Sequence, residues 1–266
     1  MKKQMANNLT ASASGQLSVK ERVALIMPVY NEAATIESTI RELYEKVASK
    51  MSNVDIWVFE DGSTDGTKEV LGKLAAQFPR LRVRMAAAKK GYPRAMREAF
   101  LSISPVNYEY VGAIDSDGQY EPNDFFRLWR IMQRYAPDIV MGCRIVRREP
   151  LYRRFLSKGL QLLERMLFPL QCKDVTSVMR LMRVTLAQGV AKEVKYSPYN
   201  FWLEFTARMS LKRYRVIEVP IAYRARSGGS KVYSLRKMPK VVLSEFRALR
   251  AVKQEYSGKR LEQPNP

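Results

Sequence analysis

The sequence predicts an α/β fold, a mostly parallel sheet flanked by helices. Short apolar runs alternate with stretches whose apolar residues recur at helical spacing, the pattern of strands joined by right-handed crossovers. Three successive apolar runs end in acidic or aromatic polar residues, which sets those residues along one edge of the sheet. In open α/β sheets that edge, at the carboxyl ends of the strands, is where ligands bind. A chain of 266 residues is long enough to bury a sizeable core.

Taken in order, Val23–Met27 is a buried first strand that runs into Pro28-Val29-Tyr30-Asn31-Glu32. Pro28 lacks an N–H for the ladder and is expected to end it. Ile36, Ile40, Leu43 and Val47 then recur at helical spacing. Asp55–Phe59 is the second strand, followed by Glu60-Asp61-Gly62-Ser63-Thr64-Asp65-Gly66-Thr67. There the glycines supply tight turns, and Ser63, Thr64 or Asp65 caps a helix carrying Val70, Leu71 and Leu74. Leu81–Met85 is a third strand, and Lys89–Ala95 opens a helix with Met96, Ala99 and Phe100. Tyr110–Ile114 is a buried strand that delivers Asp115-Ser116-Asp117-Gly118-Gln119. A helix with Phe125, Phe126, Leu128, Trp129 and Met132 follows, then a strand at Asp138–Gly142 ending in Cys143-Arg144.

Residues 151–170 read as a basic amphipathic helix, with Leu156, Leu160, Leu163, Met166 and Leu167 on one face and Arg153, Arg154, Lys158 and Arg165 interleaved. It suits a helix packed on the sheet with a solvated charged face, and equally one lying at a membrane interface. Val216–Tyr223 reads as a strand, and 224–231 as a basic Gly/Ser loop whose N–H groups and cations suit phosphate. A last basic helix over 234–254 carries Leu235, Met238, Val242, Leu243, Phe246, Leu249 and Val252. Residues 1–20 and 257–266 read as polar tails.

The net charge of +20 implies polyanionic company: nucleic acid, an anionic membrane surface or phosphorylated substrates. With no His, the usual general base and the usual zinc ligand are absent. Catalysis falls to carboxylates, cations and a hard metal. Cys143 and Cys172 make no disulfide framework and fit a reduced setting. No apolar run reaches the roughly 18–20 residues that cross a bilayer, and the N-terminus lacks a signal-peptide core. Asp115 and Asp117, one residue apart at a strand end, can reach one hard cation such as Mg2+ or Mn2+, which takes oxygen ligands and bridges carboxylates to phosphates. An isolated pair of this kind is also an ordinary Asp/Gly turn.

PVYNE at 28–32, EDGSTDGT at 60–67, the helix opening at Gly91, DSDGQY at 115–120, GCR at 142–144 and VPIAYRARSGGSK at 219–231 occur in one order. Over about 23–232 the chain thereby resembles family 2 glycosyltransferases of GT-A (Rossmann-like) fold, and within them the dolichyl- and polyprenyl-phosphate sugar synthases, of the dolichol-phosphate mannose synthase kind. DVTSVMR at 174–180 is a weaker match. The resemblance implies a GT-A domain over 21–232 with a basic helix over 233–256. It implies that Pro28, Tyr30, Glu32, Phe59 and Asp61 hold the base and ribose of a nucleotide sugar, with Ser116 touching the nucleotide through its backbone. Asp115, Asp117 and Gln119 would gather Mg2+ or Mn2+ on the diphosphate. Arg144, Arg226 and Lys231 would surround the phosphates, and Arg153 and Ser157 fall where the synthases bind the lipid phosphate. Asp117, Arg226 and Lys231 are the expected catalytic set. Glu60 stands for the usual Asp, Pro93 for a common Gly, and Val178-Met179 for Gly-Phe. These departures bear on pocket shape rather than reaction class.

The expected activity is inverting transfer of a hexose from a GDP- or UDP-sugar, GDP-mannose among them, to a polyprenyl or dolichyl phosphate. The site would be peripheral at the cytoplasmic face of a membrane, docked by the basic helices or by a membrane protein partner. The alternative is a family 2 enzyme with a hydroxyl acceptor, which needs a base. Glu204 is the residue nominated, though its reading as a partly buried helix acid paired with an Arg such as Arg208 is slightly favoured. Binding of nucleic acid is disfavoured, because no binding motif appears and the aromatics sit at core spacing.

Overall fold

The computed structural model describes residues 21–145, 159, 161–169, 172–225 and 238–257. In chain order these form β1 (Val23–Val29), α1 (Ile36–Leu43, continued by a wider turn Tyr44–Ala48), β2 (Val54–Glu60), α2 (Thr67–Gln77), β3 (Leu81–Met85) and α3 (Tyr92–Ser102). Then come β4 (Tyr110–Ala113), α4 (Asp124–Tyr135), β5 (Ile139–Arg144), α5 (161–167), β6 (Arg180–Arg183), α6 (Val184–Glu193), α7 (Phe201–Leu211), β7 (Val216–Ile221) and α8 (Met238–Ser257). The expected helix 151–170 is described only from 161 on, apart from residue 159, and the basic loop only through Ala225.

One seven-stranded sheet runs in the order β3-β2-β1-β4-β6-β5-β7. Every pairing is parallel except those of β6, which is antiparallel to both β4 and β5. Helices cover both faces, so β1 is buried at every position, as a strand with two covered faces must be. The order of strands reverses between β1 and β4. Their carboxyl ends open the crevice where such sheets bind ligands.

Pro28 does not end β1: the strand continues to Val29, with Pro28 opposite Phe59 of β2. Ile26 offers its carbonyl to Ile114 N on the β4 side, and by the two-residue period Pro28 faces the same way. The β1–β4 ladder has already stopped at Ile26 opposite Ala113. The missing N–H therefore costs no ladder bond.

Two close approaches fix the centre. At Gly112 in β4 a Cβ would lie 2.9 Å from the Phe125 ring and 3.0 Å from Leu25 Cδ1, so only glycine lets α4 and β1 pack there. Under α3 and α7, Phe100, Phe201, Trp202 and Phe205 pack ring to ring with centroids 5.1–5.8 Å apart. The fully buried Arg208 ties α7 to its surroundings, reaching Glu204 of its own helix, Glu193 of α6 and Glu255 of α8. Among the described residues no helix is long and apolar enough to cross a membrane.

Candidate active site

The ends of β1 and β2 are sewn together. Asn31 has φ +53°, a left-handed conformation that Asn tolerates better than most residues. Its N–H donates to Ser63 Oγ at 2.9 Å, and its Oδ1 accepts from Thr64 N at 2.9 Å. Glu32 N donates to Thr67 Oγ1 at 3.0 Å, and Glu32 Oε2 accepts from Thr35. Glu60 is buried and reaches forward to accept from Ser63 N; the extra methylene relative to Asp makes that reach available. Gly62, at φ +71°, lies against the 88–89 backbone, where a Cβ would stand 2.4 Å from Ala88 C and Lys89 N.

Asp61 accepts the N–H of Lys90 at 2.8 Å and of Gly91 at 2.9 Å, one on each carboxylate oxygen. It thereby fastens the loop after β3 and sets the start of α3. Beside it, Lys89 Nζ lies 3.7 Å from the centre of the Tyr30 ring, a cation–π pair. Phe59 is a core residue with 8 % exposure, and Pro28 is likewise inside β1.

Across the crevice β4 delivers Asp115 and Asp117, both half-buried, with Ser116 buried between them. Asp117 Oδ1 accepts from Gln119 N at 3.1 Å, turning the loop back. Tyr92 OH lies 3.5 Å from Asp115 Oδ1. The Gln119 side chain is tied on both atoms: Oε1 accepts from Tyr223 OH at 3.0 Å, and Nε2 donates to the Arg224 carbonyl at 3.0 Å. No group of three or more His, Cys, Asp or Glu among the described residues could hold a metal. The carboxylates of the site are the Asp115 and Asp117 pair. That donor set suits a hard cation that keeps waters and takes substrate phosphate oxygens as its remaining ligands.

The chain after β7 is clasped to the site by a second network. Arg224 donates to Glu42 of α1 at 2.8 and 2.9 Å and also to Glu121, while Lys46 donates to Glu42 at 2.7 Å and Glu121 at 3.0 Å. Hydrogen bonding from Arg224 pulls the Glu42 carboxyl down to about 2. Arg224, expected in a phosphate-binding loop, thus has its charge matched by two acids.

Arg144, at the end of β5, donates from Nε and Nη2 to both oxygens of Asp174 at 2.7 Å and from Nη2 to Thr176 at 2.9 Å. Its guanidinium also lies 5.0 Å from the centre of the Tyr223 ring. Tyr120 accepts from Val178 N at 2.9 Å, and burial pushes its hydroxyl up to about 12. The 174–178 strap is therefore held to both Arg144 and the Asp115 loop. Arg153, Ser157, Arg226 and Lys231 lie outside the described residues.

Glu204 has no exposed surface. Its oxygens accept from the N–H groups of Lys195, Tyr196 and Ser197 at 2.7–3.0 Å, and from Arg208 at 2.8 and 2.9 Å. It organises the turn before α7 and pairs with Arg208. Four partner residues and complete burial leave it no surface to offer a substrate.

Sequence reasoning passed over Tyr92 and Trp202, which stand behind Asp115: Trp202 Nε1 donates to Tyr92 OH at 2.8 Å. Their separation of 110 residues left no local pattern to read.

A model of glycosyl transferase family 2 matches residues 24–190, the span that carries every element from β1 through most of α6. The chain is 27 % identical over 219 residues to an undecaprenyl-phosphate mannosyltransferase from Micrococcus luteus, covering 80 % of this chain and 88 % of that one. It is 28 % identical over 216 residues to a polyprenol monophosphomannose synthase from Mycolicibacterium smegmatis, covering 79 % and 80 %. Its fold is that of glucosyl-3-phosphoglycerate synthase from Mycobacterium tuberculosis, solved with Mn2+, UDP and glucosyl-3-phosphoglycerate, with a TM-score of 0.61 at 17 % identity over 92 % of this chain and 87 % of that one. With the ordered motifs, the GT-A sheet and the family match over most of the chain in agreement, the protein belongs to glycosyl transferase family 2 and is a glycosyltransferase.

Proposed function

We propose that this glycosyltransferase moves a hexose, mannose first among candidates, from a GDP- or UDP-sugar to a polyprenyl phosphate with inversion. An acceptor phosphate oxygen attacks the anomeric carbon as the bond to the nucleoside diphosphate breaks. The diphosphate leaves with the bonding electron pair, and no proton needs to move, because the acceptor is already an anion at neutral pH. The burial of Glu204 carries the choice of acceptor. A hydroxyl acceptor must lose a proton to a base, and the carboxylate nominated for that task has no accessible surface. The relatives from Micrococcus and Mycolicibacterium, named for undecaprenyl-phosphate and polyprenol chemistry, support the same reading.

In this reading the crevice between β1 and β4 takes the donor. Tyr30, Glu32 and the backbone beside Ser116 line the nucleoside, while Pro28, Phe59 and Asp61 shape that wall from behind. Asp115 and Asp117 would hold Mg2+ or Mn2+, with Gln119 fixing the loop. The cation, when bound, stabilises the charge gathering on the leaving diphosphate. Arg226 and Lys231 add positive charge around the phosphates, Arg144 borders them with its own charge matched by Asp174, and Arg153 and Ser157 receive the lipid phosphate. The domain would span 21–232, with the basic helix at 233–256 beside it.

The helix faces support docking on an anionic lipid surface. On α5, Leu162 and Met166 are 62 % and 74 % exposed beside Arg165; on α8, Leu243 and Phe246 are 49 % and 36 % exposed beside Arg247 and Arg250. Apolar side chains flanked by cations suit the interface of an anionic leaflet. A panel of GDP- and UDP-sugars tests the reading. Release of nucleoside diphosphate is expected to require both divalent cation and polyprenyl phosphate. Release that a saccharide or water supports equally well would refute the lipid acceptor.

A further inference from the structure

We propose that Tyr92 and Trp202 form a positioning relay that orients the Asp115 carboxylate and thereby sets how strongly the site holds its divalent cation. The inference rests on the proposed function, which places the cation on Asp115 and Asp117.

Donor and acceptor chemistry fixes the direction of the relay. An indole N–H can only donate, whereas a phenol both accepts and donates. Trp202 Nε1 donates to Tyr92 OH at 2.8 Å. The single proton of Tyr92 is then left to point at Asp115 Oδ1, 3.5 Å away. Both ends are anchored. Trp202 is 1 % exposed and packs against Phe100, Phe201 and Phe205, with the Arg180 guanidinium 4.5 Å from its ring centre. Arg180 in turn donates to the carbonyls of Val175 and Ser177 and to Thr206. At the other end, Tyr92 begins α3 directly after Gly91, whose N–H is held by Asp61 and whose φ of +92° turns the chain into the helix. Asp61 thus holds the backbone just before Tyr92, and Trp202 holds its hydroxyl. One oxygen of Asp115 thus faces a hydroxyl that is fixed in place before any cation arrives. Partners of metal-ligating carboxylates act in this way elsewhere, and losing one costs roughly 10–100-fold in metal affinity.

Tyr92→Phe keeps the ring and removes only the hydroxyl; Trp202→Phe keeps an aromatic ring in the core and removes the N–H together with the pyrrole half of the indole. The dissociation constants of GDP and UDP are measured by calorimetry for each protein, with Mn2+ and again with EDTA. The ratio of the two conditions reports the cation's share of binding. The wild type is expected to bind one of the nucleotides more tightly with Mn2+, and Asp115→Asn to lose that gain. Tyr92→Phe should shrink the gain on the order of 10-fold while leaving affinity in EDTA unchanged. Trp202→Phe should reproduce the loss, and the double variant should add nothing further, as members of one chain of contacts do. A full Mn2+ gain in Tyr92→Phe beside its loss in Asp115→Asn overturns the relay and leaves the proposed function standing. Equal weakening with Mn2+ and with EDTA marks a packing role and also overturns it. A wild type without any Mn2+ gain overturns the relay and the metal-assisted reading together.

Discussion

Glu204 and Asp117 carry the same functional group in opposite settings, and the setting decides what each does. Glu204 is fully buried among three backbone N–H groups and Arg208. Glu204→Ala takes the acceptor from three backbone N–H groups and one of three acid partners from the buried Arg208, which costs about 3–5 kcal/mol; a lowered urea midpoint is the expected readout. Transfer by the remaining folded fraction should persist at a comparable rate per molecule. Asp117 is half-buried at the mouth of the crevice, so Asp117→Asn should leave the urea midpoint nearly unchanged. Sugar transfer should fall by at least about 10²-fold, the scale of losing one preorganised electrostatic partner of a transition state. Asp115, Asp117, Tyr30 and Glu32 could be nominated from the sequence because each lies within three residues of the end of a buried apolar run. Asp61 was legible as important, but its bonds to Lys90 N and Gly91 N depend on a loop 29–30 residues away that no local pattern reveals.

At the scale of elements, the strand–helix alternation through β5 followed from spacing alone. β6 did not: it is four residues, Arg-Leu-Met-Arg, with its first Arg fully buried, and a charged residue at a core position hides a strand. Its antiparallel direction comes from pairing between β4 and β5, which is a tertiary fact. The clasp of Arg224 onto Glu42 and Glu121 was equally invisible, since the partners lie 182 and 103 residues apart. It carries a pH signature. The Glu42 carboxyl is held at about 2, below its unfolded value, so its contribution to stability is complete above the unfolded pKa. That contribution fades as pH falls toward 2. The difference in unfolding free energy between wild type and Glu42→Gln should therefore be constant near neutrality and vanish on acidification from about 4.5. A difference that persists at pH 2 would show that the clasp acts through shape rather than charge. Between β2 and the loop after β3, Gly62→Ala places a Cβ against backbone at 2.4 Å and at φ +71°. Destabilisation of about 1–3 kcal/mol is expected, with faster amide exchange at Lys90 and Gly91, whose partner Asp61 adjoins the altered residue.

The whole molecule joins a negative crevice to a strongly positive body. On the proposed reading its net charge of +20 would draw it toward anionic surfaces, with the exposed apolar residues of α5 and α8 as the contacting face. Replacing Leu162 and Met166 together by Glu should reduce co-sedimentation with phosphatidylglycerol vesicles while leaving GDP or UDP binding intact. Charge and amphipathic spacing raised the expectation of a membrane surface, whereas the exposure of Leu162, Met166, Leu243 and Phe246 required the fold.

The central claim is tested most directly by following labelled sugar from a GDP- and UDP-sugar panel into polyprenyl phosphate held in anionic vesicles, with Mg2+ or Mn2+ present and Asp117→Ala alongside. The account predicts label in the lipid phase with wild type, dependent on cation and absent with Asp117→Ala. Label that stays out of the lipid while the donor is bound and consumed would contradict it.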